Sequence, residues 1–248
     1  MTDLTGKTAV VTGSARGIGK AIALRYADLG ANVVINYSAN SANADAAVRE
    51  AGERAIAVRA DVSRASDVDR LFAETLDRFG SVDIVVANAG LELLGVPIVD
   101  LADDQIDRMI DVNAKGALLT MQRGARHVND GGRIIYISST AVAGPYPGAG
   151  LYTATKVAGI HFAKVLARET AGRGVAVNSI APGPIDDAGV FLDSIPADSP
   201  FRGVQAQGRI GDRLGTPADV ADAAEYLAGD LAEWVSGTTI DITGGLPQ

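Results

Sequence analysis

The stretch TGSARGIGK, residues 12–20, decides the fold. It follows a short β-branched run, TAVVT, and leads into a helical pattern in which Ile18, Ile22, Tyr26 and Leu29 share one face before Gly30 closes it. Strand, glycine turn and helix succeed one another without a break. Gly13 permits a tight turn, and Gly17 and Gly19 let backbone N–H groups and a helix N-terminus approach a pyrophosphate with no Cβ in the way. Glycines alone would mark an ordinary turn; the strand before them and the helix after them make nucleotide binding the expectation.

Outward from this unit, the runs NVVIN, AIAVR, DIVVA, RIIYIS, VAVNSI and TTIDI alternate with longer helical patterns. Such alternation predicts an α/β protein: a doubly wound parallel sheet with helices on both faces. The 248 residues, 47% of them apolar, fit one domain with a sizeable core, and no internal repeat or linker divides them. The irregular region from Pro182 to about Gly215 is too long for a plain connection and is expected to be functional or mobile. With no cysteine and two isolated histidines, thiol chemistry, disulfides and a usual zinc site drop out. A net charge of −8 gives no general attraction to nucleic acid or anionic lipid. No targeting segment or bilayer-length apolar run is visible, so a cytoplasmic location and no membrane partner are expected.

The stretch GLYTATKVAGIHF, residues 150–162, raises a chemical question. Val157, Ile160 and Leu166 read as a buried helical stripe, with Tyr152 and Lys156 one turn apart beside it. The bland reading is an exposed helix edge with a snorkelling lysine. Ser139 weakens it, because it ends the strand RIIYIS at the carboxyl edge where doubly wound sheets place ligands. A further helix starts near Ala102. Its core-facing series is read as Ile106, Ile110, Asn113, Ala117 and Thr120, and the amide at Asn113 needs a specific partner or water.

These residues resemble the classical short-chain dehydrogenase/reductase family along essentially the whole chain. TGSARGIG is similar to the family's T-G-x-x-x-G-x-G, NAG at Asn88, Ala89 and Gly90 matches its next motif, and APG and TGG complete the set. Asn113, Ser139, Tyr152 and Lys156 fall on its catalytic tetrad, with most similarity to 3-oxoacyl-acyl-carrier-protein reductases. The resemblance implies a seven-stranded Rossmann-type parallel sheet in one domain. The cofactor-binding part would cover about residues 1–135, the catalytic and substrate part about 136–248, with a lid at about 184–213. It also implies a homotetramer, or a dimer. The implied reaction is reduction of a ketone by hydride transfer from a nicotinamide cofactor, with Tyr152 as general acid/base, Lys156 favouring its phenolate and bonding the ribose, Ser139 holding the substrate oxygen, and Asn113 holding a water. The alternatives are a secondary-alcohol dehydrogenase, a secondary-metabolite ketoreductase, a nucleotide-binding regulator that lost catalysis, and an extended-family epimerase; Arg16 stands where that last group has its middle glycine.

The same resemblance places the cofactor against Gly13, Ser14, Arg16, Gly17, Ile18, Gly19, Tyr37, Ser38, Asp61, Val62, Asn88, Ala89, Gly90, Tyr152, Lys156, Pro182, Gly183 and Ile185. NAD-specific relatives carry an acid at the end of the second strand; here Tyr37 and Ser38 stand there, and Arg16 can meet a 2′-phosphate. NADP(H) is therefore expected over NAD(H). Leu91, Val142, Tyr146 and Phe191, with Leu93 and Ile195, predict an apolar substrate pocket around Ser139, in which Glu92 is the exception. Arg126 and Arg173 suit an acidic carrier, whereas Asp186, Asp187, Asp193 and Asp198 in the lid oppose one. Relatives usually have threonine at position 187, so Asp187 either faces the nicotinamide or points into solvent. His127, His161 and Trp234 read as surface or subunit-contact residues, and the charge run at 168–173 as a solvated helix end.

Overall fold

Seven short apolar runs become seven parallel strands: β1 (Thr8–Val11), β2 (Asn32–Tyr37), β3 (Ala55–Arg59), β4 (Ile84–Ala87), β5 (Arg133–Ile137), β6 (Ala176–Pro182) and β7 (Thr239–Ile242). The structure, a computed structural model, describes residues 2–245. The strands form one sheet in the order β3-β2-β1-β4-β5-β6-β7. Strands β1, β4, β5 and β6 are buried along their whole length, which is why they read as unbroken apolar runs rather than as alternating ones.

Helices α1 (Gly17–Asp28), α2 (Ser41–Ala51), α3 (Ala65–Phe79), α4 (Asp103–Met109), α5 (Ala117–His127), α6 (Gly150–Glu169), α7 (Gly189–Asp193), α8 (Pro200–Ala206) and α9 (Pro217–Ala228) connect them. One apolar layer joins the sheet to α1, α2 and α9 through Ile22, Tyr26, Ala47, Val220 and Leu227. The other joins it to α3, α5 and α6 through Leu71, Phe72, Met121 and Ala163. The first and last of the long helices are also tied by polar contacts. The Tyr26 hydroxyl donates to the Ala224 carbonyl at 2.9 Å, and Arg25 reaches both Asp222 and Glu225 at 2.6 Å.

Three sequence readings change. In α6 the buried face carries Tyr152, Thr155, Lys156, Gly159, Ala163 and Ala167, while Val157 is 49% exposed and Ile160 and Leu166 are half-buried. The polar pair lies inside the apolar stripe rather than beside it, because the small Gly159 and Ala163 let α6 sit directly on β5. A Cβ on Gly159 would overlap the Tyr136 ring. Between α4 and α5 a π-helical segment, Ile110–Gly116, inserts an extra residue into the turn. The register shift turns Ile110 out to solvent and buries Met109, Val112 and Asn113 instead. The region after Pro182 is not a bare loop. Phe191, Ala206 and Leu214 form a small core with Val190 and Ile195, and Arg202 ties Asp186 to the Phe191, Ile195 and Pro196 carbonyls. No described helix is long and apolar enough to cross a membrane.

Candidate active site

Strand order reverses about β1, which has β2 on one side and β4 on the other, so the carboxyl ends of β1 and β4 open a crevice there. The glycine loop after β1 and the N-A-G turn after β4 are stitched together across it. The Asn88 side chain donates to the Thr12 and Gly13 carbonyls at 2.8 and 3.1 Å, and the Thr12 hydroxyl accepts from the backbone of Asn88 and Ala89. A Cβ on Gly19 would overlap the Asn88 amide and lie 2.6 Å from the Gly13 carbonyl, so close packing of α1 on this turn requires glycine.

Asn36, a buried amide near the carboxyl end of β2, is a residue the sequence reading missed. It accepts from the Gly13 N–H at 3.0 Å and donates to the Val58 and Ala60 carbonyls, fixing the loop to two strands. Its signal is a polar side chain at the end of NVVIN, where an apolar one suits a central strand. Ser14, expected to touch the cofactor, is instead fully buried under the loop. Its hydroxyl donates to the Val11 carbonyl and accepts from the Asn36 N–H, so it shapes the turn and does not line the cleft.

The cleft holds about 1560 Å³ and runs from this loop to the lid. Gly13, Arg16, Gly17, Ile18, Gly19, Tyr37, Ser38, Asp61, Val62, Asn88, Ala89 and Gly90 line one arm, with Pro182, Gly183 and Ile185 at the junction. Ser139, Tyr152 and Lys156 form the wall between the arms, and Leu91, Val142, Tyr146 and Phe191 line the other. The residues fit a nicotinamide dinucleotide. Helix α1 opens on this arm with no side-chain cap and no acid in its first turn, leaving its first N–H groups to an anion.

The Lys156 ammonium donates to the Ile137 carbonyl at 3.0 Å and lies 5.6 and 5.8 Å from the ring centroids of Tyr136 and Tyr152. Gly90 packs so close that an added Cβ would stand 3.1 Å from the ammonium and 3.4 Å from the Asn113 carbonyl oxygen. Asn113 grips the next residue from both sides: it accepts from the Leu91 N–H at 2.7 Å and donates to the Leu91 carbonyl at 2.9 Å. Its amide also donates to Thr155 at 3.2 Å. Asn113 thereby clamps the loop after β4 to helix α6.

Burial pushes the Tyr152 phenol above its ordinary value and the Glu92 charge adds to this, while the hydrogen bond with Ser139 works the other way. Burial likewise lowers Lys156 to about 8, against the Glu92 charge. On the phenol itself desolvation is the largest influence, and it favours the neutral form.

Other expectations are redistributed. Arg16 is held by Asp193 of α7 in a two-pronged ion pair, with one N–O distance of 2.9 Å. Asp187 is turned out of the main cleft onto a shallow depression beside Arg16 and Lys20, with φ at 54°. Arg173 is not a solvated end: it pairs with Asp130 at 2.8 Å and donates to the Ala125 and Val128 carbonyls, closing the end of α5. It is therefore engaged rather than free for an acidic carrier. His127, which stacks on Phe72 at 5.5 Å, and His161 are both exposed and outside the cleft. Among the described residues no group of three potential metal ligands exists.

A Rossmann-type sheet whose crevice joins an uncapped helix N-terminus to a Ser-Tyr-Lys wall defines a nucleotide-dependent oxidoreductase. Comparison with known proteins narrows this. A family model described as enoyl-(acyl carrier protein) reductase matches residues 13–247. Versicolorin reductase 1 of Dothistroma septosporum is 38% identical over 254 residues, covering 98% of this chain and 96% of its own. The solved structure of the promiscuous reductase LugOII, which catalyses keto-reduction at C1 during lugdunomycin biosynthesis, matches with a TM-score of 0.90 at 39% identity, covering 98% of this chain and 99% of its own. A short-chain dehydrogenase from Burkholderia cenocepacia in complex with NADP matches with a TM-score of 0.89 at 37% identity, covering 98% of both chains. The chain belongs to the classical short-chain dehydrogenase/reductase family.

Proposed function

We propose that the protein is an NADP(H)-preferring carbonyl reductase that converts an apolar ketone to a secondary alcohol. The observation that carries this reading is the buried Tyr152 phenol, which desolvation favours in its neutral form, set with Ser139 and Lys156 on the wall of the cleft. A bound nicotinamide cofactor supplies the hydride. Ser139 donates to the substrate oxygen, and Tyr152 delivers its proton to that oxygen as negative charge develops there. The Lys156 ammonium then stabilises the phenolate left behind, at a ring distance that favours this more in a desolvated site than in water. Asn113 holds the loop after Gly90 in place, and the lid excludes water with Val190, Phe191 and Ile195.

Preference for the phosphorylated cofactor rests on the absence of an acid at Tyr37 and Ser38 and on Arg16 at the cleft edge. Two lid aspartates that seemed to repel an acidic carrier are paired, Asp186 with Arg202 and Asp193 with Arg16, so their field is partly offset. Lid charge therefore argues less strongly against a carrier-bound substrate than the bare sequence did, while the engaged Arg173 argues against one. The test is cofactor oxidation followed with NADPH and NADH across cyclic ketones, diketones, quinones and acyl thioesters, in wild type and Tyr152→Phe. Turnover lowered about a thousandfold or more with cofactor affinity kept supports the reading. Near-normal turnover in the variant overturns it.

A further inference from the structure

Glu92 lines the cleft beside the apolar Leu91, Val142, Tyr146 and Phe191, with the lid's Asp193 on the same wall. Glu92 is exposed by surface area, though desolvation raises its carboxyl above the ordinary value, so a ligand that covers it must supply it with a partner. One partner is visible: Oε2 accepts from the Val190 N–H of the lid at 2.8 Å. The approach is so tight that a Cβ on Gly189, whose φ is +51°, would overlap that oxygen. The other oxygen, Oε1, has no hydrogen-bond partner among the described residues.

The position of Glu92 is set from the catalytic side. Gly90 touches Lys156, Leu91 is gripped on both backbone groups by Asn113, and Glu92 follows directly. Its charge reaches both reacting groups, raising Tyr152 and Lys156 alike, and Lys156 acts back on it. Glu92 and Tyr152 line the same cleft, so a substrate that meets the phenol there can also meet the carboxylate.

Resting on the carbonyl-reductase reading, we propose that Glu92 is a specificity-determining residue whose Oε1 accepts a hydrogen bond from a hydroxyl on the substrate one or two carbons from the reacting carbonyl. The favoured substrates are neutral hydroxyketones. Ketones with a carboxylate at that position are rejected, because they set one negative charge against another. Plain ketones bind without satisfying the carboxylate and are accepted less well.

The test compares acetophenone, 2-hydroxyacetophenone, 3-hydroxypropiophenone and phenylglyoxylate. Their dissociation constants from the cofactor-loaded protein are measured by calorimetry, and kcat/KM in parallel, for wild type, Glu92→Gln and Glu92→Leu. A hydrogen bond to a charged acceptor predicts that wild type prefers at least one hydroxyketone over acetophenone by about ten- to a hundredfold. In Glu92→Leu that ratio falls to near one, and in Glu92→Gln it is intermediate while phenylglyoxylate binding improves. A purely structural bond to the lid would move all four ligands together and leave the ratios fixed. Equal binding of hydroxylated and plain ketones in wild type, or unchanged ratios in Glu92→Leu, overturns the assignment. Discrimination in binding without any turnover would sustain it and overturn the reductase reading instead.

Discussion

Lys156 shows most sharply what the site demands of single residues. Its ordinary value of 10.5 falls to about 8 on burial, so between these limits the unfolded chain binds more protons than the folded one and stability rises with pH. Below pH 8 the folded protein carries the whole cost of the buried ammonium, ~3 kcal/mol at 1.36 kcal/mol per unit. Lys156→Met is therefore expected to unfold at higher urea than wild type at pH 7 while losing turnover, and its advantage is expected to shrink by pH 10. A gap that is constant with pH would mean the charge is not what the substitution relieves. That Tyr152, Lys156 and Ser139 meet at one cleft was legible from spacing and from strand position, yet the burial of Tyr152 and Lys156 was not. Helical periodicity ranks Val157 above a lysine, and only the small Gly159, which brings α6 onto Tyr136, reverses that order. Ser14 was misplaced and Asn36 overlooked for a similar reason, since which polar side chain supports a loop and which faces a ligand depends on the strand beneath it.

At the level of elements, the lid helix α7 is pinned to the rest of the protein by two polar contacts, Glu92 with Val190 and Asp193 with Arg16. The second pin occupies the guanidinium expected to meet a 2′-phosphate, so the two acidic groups compete for it. Asp193→Ala should lower the NADPH dissociation constant several-fold and leave that of NADH nearly unchanged, an effect readable by fluorescence titration. Equal changes for both cofactors would place the Arg16 contact outside the 2′-phosphate site. The strands, and α1 up to its close at Gly30, were legible because their periods are regular. The π-helical segment was not, because one inserted residue leaves composition untouched while moving every later side chain around the axis. Asn113 was nevertheless flagged correctly as a buried amide in need of a partner. The partner is the Leu91 backbone, 22 residues away, which no local pattern contains.

Across the whole molecule, large apolar side chains remain outside. The single tryptophan of the chain, Trp234, is 99% exposed, and Ile110, Leu118, Val157 and Val165 are exposed on the π-helical segment, α5 and α6. Surfaces of this kind fit contacts between copies of the chain. The Trp234 emission is expected to shift to longer wavelength on dilution as mass falls in light scattering, and Trp234→Glu is expected to give the smaller species at all concentrations. Emission independent of concentration, with a single mass in both proteins, would count against Trp234 as a contact residue. The sheet itself was readable from its runs, but its order was not, since nothing in one sequence says that β1 lies between β2 and β4.

The pairing of α1 with α9 bears on how the chain is made. Ile22 and Tyr26 are synthesised early, yet the surface that covers them, from Val220 to Leu227, leaves the ribosome nearly 200 residues later. Until then one face of the nascent nucleotide-binding half stays bare and adhesive, whatever strands have already paired. A polypeptide released before Pro217 should accordingly aggregate or be captured by a holdase chaperone, and folding of the first helix becomes an event of the end of translation rather than of its beginning.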